Sequence, residues 1–521
     1  MFKKNEGYKQ GDLFSVDKKL SSKQSKLWKN SREHKFYFEV FQKIDEDLFS
    51  CLYSNKKSRP NVSVNQMVGS LILKHLNNWT YDKLFSNLNF NLLTRHALGI
   101  HRIDEDVFSP ASIYNFQNKL IDHYNSTGVD LITQVLSGLN KQYVDIYNVD
   151  TSIQRGDSFL IGSNIMDYSR MQLLVEVLVR FHRILSVREK SSLREFKRYV
   201  ENTSSQYVYE LKKEELPKEI KSLGNVYYRL LKKYKRKYKA TEAYQVMKRV
   251  FEEHFNEKKK GGGVAKKKVT SSALMSPDDL EATFRYKAGN QSKGYVGHIS
   301  ETVNKDNTVN LITDVVVKQN NVGDEKILEE RLPKMLERTP DLKEYHVDGA
   351  YASERVDKLA KANEVSIYQN NFRGRKSGSG IEIKVEEKIY KIKCKGGQEV
   401  QADVSLDNAG EVKKGVAKFD YEICKTCPYL EECKLKEVGG KRTRKQKAYY
   451  FGEKQILINQ RRLRSENIPK EKRTLRANVE ATIKEMKRGM KDGKVRIRQW
   501  RRISTHMILT AIAINFTRIA K

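Results

Sequence analysis

Cysteine is scarce in this chain, with five in 521 residues. Four of the five fall within 394–433, so a disulfide framework is not expected and the thiols read as reduced. Long apolar runs are missing too: the most apolar segment, MILTAIAINF near the end, falls short of the ~20 residues that span a bilayer. The opening MFKKNEGYKQGDLF carries no apolar signal core. A soluble, intracellular protein without a membrane partner is expected. Acidic charge is the third shortage: 99 Lys+Arg stand against 65 Asp+Glu, a net charge of +34 at pH 7. That exceeds what solubility requires and favours a polyanionic partner, nucleic acid ahead of an anionic membrane surface.

What is present is apolar material enough, 38% of residues, to bury more than one core, and the length suggests about two to four domains. From about 35 to 140, apolar residues recur at three- and four-residue steps, as in VNQMVGSLILKHL and VDLITQVLSGL, which predicts a helical bundle. Within it Ser109 is placed to cap a helix opened by Pro110. That helix reads either as a plain bundle helix or as one that enters DNA. Cys51 reads as core. Val144, Ile146 and Val149 suit a buried strand over 142–150, closing on Asp150. Charged helices follow across 168–268 and end in a Lys- and Gly-rich stretch that reads as a flexible basic linker.

Strands over 295–303 and 309–318 form a hairpin, and 325–336 a helix. The stretch 342–370, LKEYHVDGAYASERVDKLAKANEVSIYQN, then gives a strand ended by Asp348, a helix capped by Ser353 and another strand. A β-prone, charged region over 377–450 carries the cysteine cluster, and helices close the chain. Strand, hairpin, helix, strand, helix, strand is the order of a ribonuclease H-like fold. In open α/β sheets the ligand crevice lies beyond the carboxyl ends of the strands, where Asp348 is expected.

Three acids draw attention: Asp150, Asp348 and Glu480. Singly, each reads as a turn or surface residue. Gathered, they would make an oxygen-rich site for Mg²⁺ or Mn²⁺, two ions per site, suited to in-line transfer at phosphorus. Arg476, Glu480 and Lys487 have steps of four and seven, which keep all three on one helical face. Phosphate contacts are the expected role of Arg476 and Lys487; Arg373, Arg375 and Lys376, in the polar run after the Asp348 unit, read either as phosphate contacts or as a solvated loop. The later run KRGMKDGKVRIRQWRR, with Arg488, Arg496 and Arg498, reads as an extended piece on the DNA backbone or as a solvated face. Trp500 beside it suits the core better than base stacking. Cys424-x2-Cys427-x5-Cys433 with Cys394 upstream offers four thiolates, a set that structural zinc takes; unligated thiols and a redox switch are the alternatives.

In these motifs the chain resembles the DDE transposases of bacterial insertion sequences. The resemblance is carried by SPASIYNFQNKL, NVDTSIQ, RYKAGNQSKGYVGHISETV, HVDGAYAS, NFRGRK and an Arg-x3-Glu-x6-Lys signature, with Arg473 at the signature's Tyr position and Thr151 where many relatives have Gly. It implies a ribonuclease H-like catalytic domain over 141–521, interrupted by a helical basic insertion (168–268) and a cysteine-containing one (377–450), behind a helical DNA-binding domain over 1–140. It further implies Asp150, Asp348 and Glu480 as the metal-binding triad. The implied activity cuts the terminal inverted repeats of a mobile element and joins the freed 3′-hydroxyl to target DNA. The enzyme would be a homodimer on double-stranded DNA, in the cytoplasm at the nucleoid. A DNA-binding protein that has lost activity, and a nuclease that cuts without joining, are the other readings.

Overall fold

The computed structural model describes every residue except 10–14, 55, 57, 58, 194, 195, 288, 371–379 and 441–443. At its centre is a mixed sheet. The strand Ile153–Gly162 pairs antiparallel with the long strand Asn290–Thr302, which pairs antiparallel with Ile312–Gln319 and, over its first residues, with Thr283–Lys287. On its other edge Ile153–Gly162 runs parallel to Glu344–Asp348, and that strand runs parallel to Ser366–Asn370. Parallel strands require buried crossovers. The helix Asp324–Arg338 leads into the Asp348 strand, and Glu354–Ala362 links it to the next. Their apolar residues, among them Leu328, Leu332, Val356 and Ala360, pack with Tyr345, Val347 and Ile367 of the sheet. As expected, Ser353 caps the second helix, its side chain accepting from the Val356 N–H.

The opposite face is covered by the helix Trp500–Ile519, the helix Leu131–Tyr147 and the amino-terminal helices. Here one expectation fails. Residues 142–147 are not a strand but the last turns of Leu131–Tyr147, which buries Leu131, Val135, Leu136, Leu139 and Tyr143 at helical spacing. The β-branched Val144 and Ile146 suggest a strand, but Ile146 is exposed and the periodicity that begins at Leu131 prevails. The helix ends at Asn148, in the left-handed conformation common beyond a final turn.

The amino-terminal helices share one apolar core with the sheet, and no break separates them from it near residue 140. Asn140 donates to the Ile312 carbonyl and Asn515 to Asn140. His75 of the helix Val64–Leu76 meets His506 of the final helix, Nε2 to Nδ1 at 2.9 Å. Burial depresses the His506 imidazole to about 4, so this contact is between neutral rings at pH 7. The helix Pro110–Thr127 starts where expected, although Ser109 makes no side-chain cap bond. Cys51, expected in the core, is exposed. Trp500 packs near Tyr124 and donates Nε1–H to the Val317 carbonyl, which places it against the sheet.

Two excursions leave the sheet. Between its first and second strands, helices from Arg170–Arg183 to Glu242–His254 enclose a second core rich in tyrosine and leucine. The Lys-rich stretch after them is not a flexible linker. It is a two-stranded hairpin, Phe255–Glu257 with Gly263–Ala265, packed on the helix Leu216–Tyr238 where Gly224 and Gly263 meet too closely for a Cβ. The later excursion folds as short antiparallel strands between Glu382–Glu386 and Gln446–Phe451 around a small core. Among the described residues no helix is long and apolar enough to cross a membrane.

Candidate functional site

Asp348 closes its strand as expected, and its Oδ1 accepts from the Ala350 N–H, which fixes the carboxylate at the start of a 3₁₀ turn. Asp150 is not its neighbour. It lies before the strand Ile153–Gly162, whose Ile153 is opposite Glu344. At ~3.3 Å per residue, the offset from Asp150 to Asp348 along parallel strands is on the order of 20 Å. Asp150 sits instead at the amino end of the sheet, where Ser152 N–H and Asn304 Nδ2 donate to its two oxygens. Burial opposes its ionisation, but those hydrogen bonds hold it below the usual carboxylate range.

The acid beside Asp348 is Asp157, which sequence reasoning missed. The parallel register pairs Arg155 with His346, and two residues further along each strand come Asp157 and Asp348, on the same side of the pleat. Arg476 joins them, its Nη2 2.6 Å from Asp157 Oδ2 and 3.9 Å from Asp348 Oδ2. Asp157 is largely buried. Burial raises its pKa, opposed by Arg476, and nearby Asp348 raises it further. Gly156 explains how the strand admits this arrangement: a Cβ there would lie 1.9 Å from the Tyr345 hydroxyl.

Arg476 is delivered by the turns that precede the helix Val479–Met486. A buried clamp fixes this segment to the sheet. Arg155 donates to Glu301 Oε1 (2.7 Å) and to the Leu475 carbonyl (2.6 Å), while Thr482 and Arg518 both donate to Glu301 Oε2. Glu480 follows Arg476 by one turn and is exposed. Among the described residues no three His, Cys, Asp or Glu side chains stand at separations that could hold a metal, so Glu480 is not drawn in beside the two aspartates. Lys487, half-buried, caps the same helix with its Nζ 5.6 Å from the Phe159 ring, and burial lowers its pKa.

Cations rim this end of the sheet. The 491–499 segment is not an extended piece but a turn docked on the first strand: Gly162 bridges Lys494, and Arg498 Nε donates to the Asn164 carbonyl. Arg488, Arg496 and Arg498, before and within this segment, are exposed. A groove of about 280 Å³ is lined by Leu160, Lys293, Lys487 and Lys494 among others. Arg373, Arg375 and Lys376 lie outside the described residues. Arg473, at the signature's Tyr position, donates to the Ile468 carbonyl.

Cys394, Cys424, Cys427 and Cys433 converge on a single pocket of about 200 Å³. They line it without closing to metal-ligand separations. The thiols are unbonded to one another, Gln398 donates to Cys424 Sγ, and burial raises the Cys424 pKa.

Two parts of the chain match known family models: residues 393–520 a "Transposase DDE domain" and residues 25–119 a "Transposase domain". Together they support a transposase of the DDE type, a DNA-processing class. No curated protein and no solved structure matches the chain.

Proposed function

We propose that this protein is a transposase that cuts the ends of a mobile DNA element and joins the freed 3′-hydroxyls to target DNA, working as a homodimer on double-stranded DNA. The observation that carries the reading is Asp157 beside Asp348 at the carboxyl end of the sheet, with Arg476 across both. The strand order supports a ribonuclease H-like core, since parallel strands bearing the acids flank an antiparallel hairpin. Asp157 replaces Asp150 as the first acid, with Asp348 second and Glu480 third.

Carboxylate oxygens are the donor set that Mg²⁺ or Mn²⁺ takes, so Asp157 and Asp348 fit as two ligands; Glu480, exposed one turn after Arg476, would have to move to them to act as the third. A bound pair of such ions supplies an activated oxygen nucleophile and stabilises the leaving oxygen. The chain's own residues do the rest. Arg476 neutralises the paired carboxylates and is placed to turn to a phosphate oxygen. Lys487 and the Arg488, Arg496 and Arg498 rim hold the backbone of the cut strand.

The test is a cleavage and joining assay on a duplex bearing the inverted repeats that flank the gene. Wild-type protein is expected to cut and join only with Mg²⁺ or Mn²⁺, and Asp348→Asn to bind the duplex without cutting. Cutting without any joined product would leave a nuclease; retained cutting by Asp348→Asn would remove the site.

The reading extends to a structural zinc on the four cysteines, whose thiols share one pocket and form the donor set zinc prefers. Elemental analysis of purified protein is expected to find about one zinc per chain, absent from a Cys424→Ser, Cys427→Ser double variant. Less than ~0.5 zinc per wild-type chain counts against it.

A further inference from the structure

The helical excursion between the first two sheet strands carries a basic cleft of its own. Three elements enclose a cleft of about 460 Å³: the helix Leu216–Tyr238, the helix Glu242–His254 and the hairpin that follows. On the first helix Tyr228, Lys232 and Lys235 line it at steps of four and three, and Lys239 just beyond continues the stripe, so all four face one side. Lys248 comes from the second helix and Lys266 from the hairpin's exit. The floor is aromatic, from Tyr228, Tyr244, Phe251 and Phe255. Lys232 Nζ lies 5.4 Å from the Tyr228 ring, which fits lysine stems lying along an apolar surface with the ammonium groups in water.

Acids only partly offset this charge. Glu257 is 3.6 Å from Lys232 and Glu252 is 3.5 Å from Lys248, both pairs exposed and weak. Lys235 and Lys239 have no ion-pair partner among the described residues. The stretch 230–239 holds six basic residues and no acid, and the hairpin tip adds Lys258, Lys259 and Lys260. From Lys232 to Lys239 the helix rises ~10 Å, enough to span neighbouring phosphates on a strand. The excursion leaves the sheet just after Gly162, at the carboxyl end of the strand that carries Asp157.

We propose that this cleft is a second DNA contact, gripping the phosphate backbone of the duplex without reading its sequence. It shares with the proposed function only that the partner is DNA, and it needs no catalysis. The charge is arrayed on a scaffold with its own core, and phosphate contacts of this kind release counterions and make binding steeply salt-dependent.

The test measures binding of full-length protein to a 40-base-pair duplex of arbitrary sequence by fluorescence anisotropy over a salt series. The triple variant Lys232→Glu, Lys235→Glu, Lys239→Glu is expected to bind at least tenfold more weakly. Its slope of log affinity against log salt should be shallower by about 2–3, near 0.9 for each phosphate no longer neutralised. The Lys→Gln triple should fall between, and the Lys→Arg triple should bind as wild type. These side chains are exposed, so the melting temperature serves as a check on folding. Binding is read without divalent metal, so no cleavage enters the measurement, and failure of this cleft is separate from failure of the catalytic reading. Unchanged affinity and slope in the Glu and Gln triples overturn the proposal. So does equal competition by polyglutamate of matched charge, which would assign the cleft to an acidic protein surface.

Discussion

Asp157→Asn is expected to lower Mg²⁺-dependent cleavage of element ends by about three orders of magnitude, while Asp150→Asn leaves it within a few-fold. Loss of one carboxylate ligand removes several kcal/mol of charge stabilisation at phosphorus, and each ~1.4 kcal/mol is tenfold in rate. The side chain is nearly isosteric, and Arg476 keeps a hydrogen-bond acceptor at its 2.6 Å contact, so DNA binding and melting should change little. Asp150 accepts from Ser152 and Asn304 at the other end of the sheet, where asparagine can keep one of those bonds. Rates measured under single turnover decide the matter. Loss of cleavage in the Asp150 variant, with cleavage kept in the Asp157 variant, would return the first acid to the motif in which the sequence suggests it.

The second large effect is structural. Glu301→Ala is expected to cost about 3–5 kcal/mol, the range for breaking a buried pair by removing one partner, and to lower Tm by roughly 10 °C. Glu301 is fully buried and accepts from Arg155, Thr482 and Arg518. Without it Arg155 loses its countercharge inside the protein, and Arg518 keeps only Glu485 at 3.5 Å. Glu301→Gln keeps an acceptor and should cost less. Cleavage should fall in step, because Arg155 also holds the Leu475 carbonyl and with it the segment that presents Arg476. A melting temperature within about 2 °C of wild type for the alanine variant would show that the clamp is not holding this segment.

What is legible in the sequence is local. Asp348, its strand, the Ser353 cap and the hairpin that supplies Glu301 all follow from short-range patterns of period two and period 3.6, and they appear within a few residues of their expected places. Asp157 is hidden because its meaning depends on a parallel pairing between segments some 190 positions apart, and no short-range pattern encodes that register. A signal does exist: an isolated acid between Gly156 and the apolar Phe159-Leu160-Ile161. The run ending at Asp150 misleads because β-branched residues at a helix's last turns imitate a strand when the helix is read from its end rather than its beginning. The lysine-rich stretch after 257 has the composition of a linker, yet packing of Gly263 on Gly224 turns it into a hairpin. Glu480 is legible as part of an amphipathic signature, but whether such a residue stands beside the aspartates is a tertiary matter that spacing does not decide, and here it does not.

The helix Trp500–Ile519 lies against the sheet strand Ile312–Gln319 and the helix Val64–Leu76, in the one core that also encloses the amino-terminal bundle. During translation that bundle therefore waits for residues made more than 400 positions later before its apolar surface is covered, a long-range closure of the kind that slows folding. A message cut short before codon 500 would yield a chain that contains Asp157, Asp348 and Glu480 but whose central core is open to water, with the Arg518 contact to Glu301 missing.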